Sequence, residues 1–472
     1  MQVKPQNGFR KHIAPIAAAV GFFAVFVFFQ FFYPYHLVRR EQMNLFLFDG
    51  DYICQTYRGF GFLSCFIADF LEQFFLLPVA GPLIMALLLT GIGFVAYRIC
   101  RHFLGQWPSL AIASLFFVWS FLRESENLFV TRYTVVTLGY LSLILLALQL
   151  KKGWAKAVAA VVFLAIGVWA FGSPYHKYYG KFWGVPVLSY DRVIGLDIET
   201  SKENWDKVLD LSKKDLYMVE ASYCYNLAHA MKGDLGSKLF NHSQSGTNTL
   251  LMRVALDRTA FTNNMAGEAW YHLGNMTVAE QGTIVALQSA PDHRGARYVK
   301  RLAEVNLISG EDAAAQKYLS LLSRTLFYGK WARRRMPGCQ DEVTKAAIAE
   351  ARKNLPRTDL VHQSEDPRTI LQMLLEANPS NTLARQYLLC YYLMRYDLDH
   401  FMEVYRQEPI KGHIYQEGVL IYLSQQDKLN QEEFSRYGID PSMVDKMGAF
   451  FRNPDRYRDT YWYYYLKAMN EQ

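Results

Sequence analysis

The sequence predicts an all-α protein in two parts: an N-terminal bundle of about five transmembrane helices plus an amphipathic interfacial helix, then a soluble tetratricopeptide-like α-solenoid. Three observations predict it. Apolar residues crowd into the first third of the 472-residue chain, in runs close to the roughly 20 residues that cross a bilayer as a helix. The remainder alternates short amphipathic runs with Gly, Pro, Asn or Asp breaks, at helical rather than strand periodicity. Phe concentrates in the first third and Tyr in the rest, as suits rings that face lipid and rings that pack a wetter core. The borders fall at 1–173 (transmembrane), 174–202 (interfacial linker) and 203–472 (helical repeat).

The first apolar run, residues 13–33, follows Lys4, Arg10, Lys11 and His12 and stops at Pro34. It is longer than a signal-peptide core, and Phe31, Phe32 and Tyr33 stand where a cleavable leader has small residues. Further runs at 78–100, 103–122, 134–150 and 154–173 complete the five expected spans. Lys4, Arg10, Lys11, Arg98, Arg101, Lys151, Lys152 and Lys156 share one side, against Arg39, Arg40, Arg58, Arg123 and Arg132 on the other. That bias places the N-terminus inside and, after an odd number of crossings, the C-terminal part outside the cytoplasm. Residues 60–77 are apolar enough to suggest a sixth crossing, but Asp69, Glu72 and Gln73 interrupt them. With Ser64, Cys65 and Ala68 they form one polar stripe at helical spacing, opposite a face of Phe and Leu, so an amphipathic helix in the interface or lining the bundle is expected.

Ahead of that helix, an alternating apolar stretch leads into Asp49-Gly50-Asp51. Two acids at a membrane face suit a divalent metal or a lipid-linked sugar phosphate, and Asp49 and Asp51 are the weak catalytic candidates; Asp-Gly-Asp is also an ordinary turn sequence, and the turn is the stronger reading. After the last span, Tyr175, Tyr178, Tyr179, Phe182 and Trp183 interleave with Lys177 and Lys181 as an interfacial belt.

Beyond residue 203 the helices read as pairs: 205–213 with 216–231, closed by Gly233-Asp234-Leu235-Gly236, then 294–308 and 313–323 about the turn Gly310-Glu311-Asp312. Asn378-Pro379, Glu408-Pro409 and Asp440-Pro441 stand 30 and 32 residues apart, near the spacing of about 34 in tetratricopeptide units. On Tyr33-Pro34-Tyr35-His36-Leu37, Glu41-Gln42, Leu45-Phe46-Leu47-Phe48, Gln73-Phe74-Phe75, Arg301-Leu302-Ala303-Glu304-Val305-Asn306-Leu307, Lys317-Tyr318-Leu319-Ser320-Leu321-Leu322 and Thr325-Leu326-Phe327-Tyr328, the chain resembles an uncharacterised family of Bacteroidota multi-pass membrane proteins, a domain of unknown function. The resemblance implies a bacterial inner-membrane protein with a helical-repeat domain; it brings no activity and no site residues.

Arg324, Lys330, Arg333, Arg334 and Arg335 form the densest basic patch, beside Phe327, Tyr328 and Trp331. Trp331, Arg333, Arg334 and Arg335 are the binding candidates for an anionic partner, against the blander reading of a solvated helix end with arginines on rings. The aromatic run Tyr461-Trp462-Tyr463-Tyr464-Tyr465 reads as core packing of a terminal helix rather than a stacking platform. Cys54 and Cys65 share one loop and could pair if it is extracytoplasmic; the six cysteines show no CxxC spacing, and the histidines, His362 among them, form no metal motif. A net charge of +7 without a basic stripe excludes nucleic acid as an expected partner, and no phosphate loop or dinucleotide turn calls for a cofactor. The expected role is a membrane-anchored scaffold whose solenoid recruits a protein or peptide, with the lipid bilayer as its other partner. The alternative is an envelope enzyme, or enzyme subunit, acting on a lipid-linked or glycan substrate.

Overall fold

In a computed structural model of the chain, residues 7–126, 131–151, 153–171, 185–358 and 366–471 are described. The fold is all-helical, with 76% helix and no strand among the described residues. Contacts divide the chain into two compact units: Met1–Asp191 with Arg294–Val299 and Leu319–Arg333, and Arg192–His293 with Lys300–Tyr318 and Arg334–Gln472. The division thus falls inside the expected linker, and two short stretches of the expected soluble region belong to the first unit. The expected belt from Tyr175 to Trp183, the end of the last span at Ser173, and Lys4, Lys152 and His362 lie outside the described residues.

Among the described residues of the first unit, three helices are long and apolar enough to cross a membrane, His12–Phe32, Ala80–Phe103 and Thr131–Gln149, where five were expected. The runs 103–122 and 154–173 also form helices, Gln106–Glu124 and Gly153–Phe171. The former carries Gln106, three serines, Arg123 and Glu124, which dilute its apolar character. Ala80–Phe103 packs against the first helix, Gln106–Glu124 and Thr131–Gln149, which in turn packs on Gly153–Phe171. Phe29, Leu37, Phe75, Met85, Leu89 and Ile92 form the core between them, while Val20, Phe23, Leu87, Leu115 and Val161 point outward, as apolar side chains do where lipid is the solvent. A π-helical turn, Phe28–Phe32, ends the first helix: the Tyr33 N–H reaches back to the Phe28 carbonyl at 3.0 Å, and Pro34, which has no N–H, starts the next helix, Pro34–Gln42, at its first position.

The amphipathic segment forms the helix Phe62–Glu72 and a 3₁₀ turn, Gln73–Leu76. Its polar stripe faces inward: Ser64, Asp69, Glu72 and Gln73 are buried, and the Phe and Leu face is half-buried. Helix Phe62–Glu72 packs on Thr131–Gln149 and Gly153–Phe171, so it lines the bundle. This inversion is stable only because the acids find donors. Asp69, 2% exposed, accepts from Arg132 at 3.2 Å, from Arg294 at 3.0 Å and from the Tyr57 hydroxyl at 3.0 Å. Arg40 pairs with the buried Glu124, which also accepts from Thr134, and Arg40 donates to the Glu124 carbonyl at 2.8 Å. A buried charge removed from such partners leaves the others unsatisfied, which costs about 3–5 kcal/mol.

Two stretches from later in the chain complete this end of the unit. The extended segment through Leu45, Phe46 and Leu47 buries its apolar side chains and has its backbone satisfied from outside: the Ala296 N–H donates to the Asn44 carbonyl and the Phe48 N–H to the Arg324 carbonyl, both at 2.9 Å. Phe327 meets Phe74 edge-on at 5.7 Å, and the Tyr328 hydroxyl donates to Glu41 at 2.8 Å. Burial pushes the Glu41 carboxyl up to about 8, with Glu72 adding and the Tyr328 hydrogen bond opposing. Burial, then the nearby Asp69, also raises Glu72. Cys54 and Cys65 are free thiols.

The second unit is built from capped helices. Thr259, Asn275, Asp341, Asn381 and Asp440 each accept a backbone N–H of the first helical turn, the local reason that Ala260–Leu273, Met276–Ser289, Glu342–Arg352, Thr382–Met394 and Pro441–Arg452 begin where they do. Trp205–Ser212 pairs with Val219–Met231 as expected, and Ala260–Leu273 pairs with Met276–Ser289 and Thr382–Met394 with both Pro367–Ala377 and Leu398–Gln407. Val219–Met231 also packs on Thr382–Met394, and Leu235–Lys238 on His413–Gln425, contacts far longer in sequence than nearest-neighbour stacking produces. At the second of these, Gly236 abuts the Tyr415 ring so closely that a Cβ would fall 2.3 Å from it. The three Asx/Glu-Pro pairs do not hold equivalent places. Asn378 and Glu408 close helices, whereas Asp440 caps one that Pro441 opens. Proline suits both positions, just past a helix end and at its first residue, so their even spacing marks helix boundaries and not one repeated position.

Candidate functional site

The second unit contains a cavity of about 480 Å³ walled by residues from six separate stretches of chain. Tyr271 and His272 come from the last turn of Ala260–Leu273, Glu304, Leu307 and Ile308 from Ala296–Ser309, and Thr344, Ala347, Ile348 and Ala351 from Glu342–Arg352. Glu203, Met231, Arg335 and Asn354 complete the lining.

Side chains that close helix ends shape the walls. Arg352 donates to the Leu307 and Ile308 carbonyls at 2.8 and 2.9 Å, occupying acceptors that a helix C-terminus leaves open. Asn354 donates to the His272 carbonyl at 2.9 Å, and Asn381 to the Leu273 carbonyl at 2.8 Å and the Asn354 carbonyl at 3.1 Å. Gly274 ends the same helix with φ +86°, and a Cβ there would lie 2.1 Å from the Asn354 oxygen, so both conformation and space demand glycine. Glu203 holds φ +58°, a backbone state that non-glycine residues enter at a cost of about 1–3 kcal/mol.

The charges divide into satisfied and unsatisfied groups. Arg301 lies 3.9 Å from the Tyr271 ring centroid and pairs with the buried Glu268 at 2.6 Å and with Glu304 at 3.2 Å; Lys300 reaches Glu304 at 3.3 Å. Glu350 pairs with Lys353 at 2.6 Å. By contrast, the carboxyl of Glu203 makes no hydrogen bond or ion pair among the described residues, and the Nε2 of His272 is shut away from solvent without a partner. Burial lowers His272 to about 4, so its imidazole is neutral near pH 7. Glu203 is exposed at the rim; partial burial by the surrounding wall raises its pKa, with Arg301 and Lys300 opposing and Glu304 and Glu268 adding. Burial also lowers Arg335, against the pull of Glu304 and Asp341. Carboxylates, a ring and an apolar wall surround the space, and the Thr344 hydroxyl is engaged by Asp341.

The residues singled out from sequence fall elsewhere, apart from Arg335. Asp49 caps the helix Gly50–Thr56, one oxygen accepting the Tyr52 N–H at 3.0 Å and the other Arg324 at 2.9 Å; Asp51 is exposed in the first turn of that helix. The basic patch divides. Arg324, Trp331 and Arg333 belong to the first unit, where Arg333 donates to the Ser323 carbonyl at 2.9 Å; Arg334 and Arg335 belong to the second. Trp331 is half-buried and Arg334 exposed. Tyr461 and Trp462 are fully buried, as core packing requires. Sequence reasoning passed over Glu203, Tyr271 and Glu304, and met His272 only as one scattered histidine. No local pattern announces them, because their neighbours in the cavity are up to about 150 residues away.

No curated protein and no solved structure matches the chain. A family model matches it over residues 10–180 and 176–468, nearly its whole length. On that match the chain belongs to DUF6057, a family of unknown function.

Proposed function

We propose that the protein is a membrane-anchored adaptor: a bacterial inner-membrane protein of five spans, N-terminus in the cytoplasm, whose tetratricopeptide-like region stands in the periplasm and receives a protein or peptide. The observation that carries this reading is the second unit's cavity of about 480 Å³, where an aromatic ring, Tyr271, and an apolar wall of Met231, Leu307, Ile308 and Ile348 stand beside polar side chains at the rim, the mixed lining that suits a peptide side chain. The apolar outward faces of the first unit support membrane insertion. The packing of Arg294–Val299 and Leu319–Arg333 around Asp69 and Glu41, at the end where Gln106–Glu124 stops and Thr131–Gln149 starts, supports placing the C-terminal region on that side of the bilayer. An enzyme centred on Asp49 and Asp51 has less support, because the Asp49 carboxylate is occupied by a helix cap and an arginine.

A photo-crosslinking residue tests the adaptor role. Placed at Ile348 in the cavity wall it should trap a discrete polypeptide in cells; placed at the exposed Val343 of the same helix it should not. Equal labelling from both, or none from Ile348, would sink the reading. A reporter active only outside the cytoplasm, fused after Gln472, should be active; silence there would reverse the orientation.

A further inference from the structure

We propose that the first unit holds a buried proton on the carboxyl pair Glu41 and Glu72, and that loss of this proton loosens the stretch Leu319–Arg333 from the bundle. The inference goes beyond the adaptor reading and does not depend on it.

The geometry of the pair leads to it. Glu41 and Glu72 are 4% and 5% exposed, and neither makes an ion pair among the described residues. The buried acids beside them do: Asp69 has Arg132 and Arg294, and Glu124 has Arg40. What the pair has instead is neutral. The Tyr328 hydroxyl donates to Glu41 at 2.8 Å and the Asn44 amide to Glu72 Oε2 at 3.2 Å, while Glu72 Oε1 is shut away from water without a hydrogen bond. Asn44 also ties the two together, since its backbone N–H donates to the Glu41 carbonyl at 3.0 Å. A carboxylate buried without a cation is costly, and the group takes up a proton instead; a second carboxyl alongside adds to the cost of ionising both. The direction of both titrations agrees, upward for Glu41 by burial and then by Glu72, and upward for Glu72 by burial and then by Asp69.

The charged and polar neighbours do not cancel that burial. Arg40 and Arg132 favour the Glu72 carboxylate, as does the Thr131 hydroxyl, but both arginines are committed to Glu124 and Asp69. Arg297, which acts on Tyr328, donates to the Gln42 side chain at 3.3 Å. Tyr328 is what makes the proton matter to the chain. It belongs to Leu319–Arg333, a stretch continuous at both ends with the second unit. The stretch otherwise rests on Phe327 against Phe74, on the Arg324 carbonyl that accepts the Phe48 N–H, and on the ion pair of Arg324 with Asp49. Without its proton Glu41 is a buried anion that water must satisfy, and opening of Phe327 and Tyr328 admits that water. The docked state thus holds the proton more tightly than the opened state, whose carboxyl value is near 4.5. Docking is strongest below about pH 4.5, weakens as pH rises, by at most about tenfold per unit for one proton, and reaches its floor above about pH 8.

The test uses the full chain in lipid nanodiscs. Hydrogen–deuterium exchange between pH 5 and pH 8, corrected for the intrinsic pH dependence of amide exchange, should show the opening of residues 319–333 growing with pH, approaching tenfold per unit. Glu41→Gln keeps an acceptor for Tyr328 and cannot ionise, so its opening should be nearly independent of pH. Infrared difference spectroscopy should show the carbonyl stretch of a protonated carboxyl at pH 6 that fades through about pH 8 and is diminished in Glu41→Gln. Tyr328→Phe leaves both carboxyls in place and removes a donor that favours the Glu41 carboxylate, so it should move the midpoint of that band upward. The same opening slope in the native protein and Glu41→Gln, or a band at pH 6 that Glu41→Gln leaves unchanged, would overturn the assignment. If Glu41→Gln does not fold, Tyr328→Phe decides, and an unmoved midpoint there overturns it.

Discussion

Asp69 in the first unit and Glu203 in the second are both carboxylates, one buried and one exposed at the rim of a cavity, and the protein treats them in opposite ways. Asp69 accepts from two arginines and a tyrosine, drawn from positions 57, 132 and 294. Glu203 makes no hydrogen bond or ion pair through its carboxylate among the described residues and is left to water. A buried charge is kept only with its partners and so holds segments of chain together; an exposed one needs none. The difference separates structural electrostatics from a solvated surface charge without any appeal to motif.

Breaking the satisfied side should have the largest effect. Asp69→Ala strands Arg132, Arg294 and the Tyr57 hydroxyl, and is expected to cost about 3–5 kcal/mol, read as a fall in thermal midpoint in detergent or as loss of folded protein. A change below about 1 kcal/mol would mean that water substitutes for the carboxylate and that the network is not what closes this end of the bundle.

A buried acid with partial support tests the middle of the comparison. Glu417 is fully buried in the second unit, accepts the Tyr461 N–H at 2.7 Å and has Lys446 at 3.5 Å. Burial raises its carboxyl to about 7, with that N–H and Lys446 opposing. The folded state therefore holds this proton more tightly than the unfolded chain, whose value is near 4.5. The resulting stability is fully present below about pH 4.5, declines as pH rises and is gone above pH 7, a difference on the order of 3 kcal/mol. Denaturant unfolding at pH 4.5 and pH 7.5 should show this fall in the native protein and not in Glu417→Gln; identical slopes would place the carboxyl in a wetter setting.

Two smaller effects sharpen the contrast. Asp440→Ala removes a solvent-exposed cap, the acceptor of the Ser442 N–H at 2.9 Å, and should lower the chemical-denaturation midpoint slightly, as loss of a locally satisfied group does. Glu203→Gln should change stability by less than about 0.5 kcal/mol, since no partner of its own is lost. A large loss there would make Glu203 a structural residue and remove the contrast with Asp69.

Much of the helical layout was legible residue by residue. The apolar runs, the stop at Pro34, the paired helices near residues 205–231 and the polar stripe from Ser64 to Gln73 depend on interactions within about four residues of each other, which periodicity and capping report. The stripe's orientation was not legible. A row holding Asp69 and Glu72 reads equally as a surface in contact with water or as a lining, and arginines at positions 132 and 294 decide that it is buried. The same limit applies to the proline spacing: proline marks a helix boundary from either side, so the two near-even intervals do not by themselves report a repeat. Asp49 carries a related ambiguity, since the acid that starts a turn is also the acid that caps the next helix.

By itself, then, the sequence determined that the chain is helical, that its first third is apolar and its remainder amphipathic, and where many of the helices start, because hydrophobic periodicity and caps act over one or two turns. Only the tertiary structure decided which acids are paired and which are left open, that residues 294–299 and 319–333 join the first unit, and that Glu203, Tyr271, His272 and Glu304 surround one space. Those outcomes turn on contacts between residues tens to hundreds of positions apart, where the cost of burying a charge is settled by whichever donor the fold brings to it.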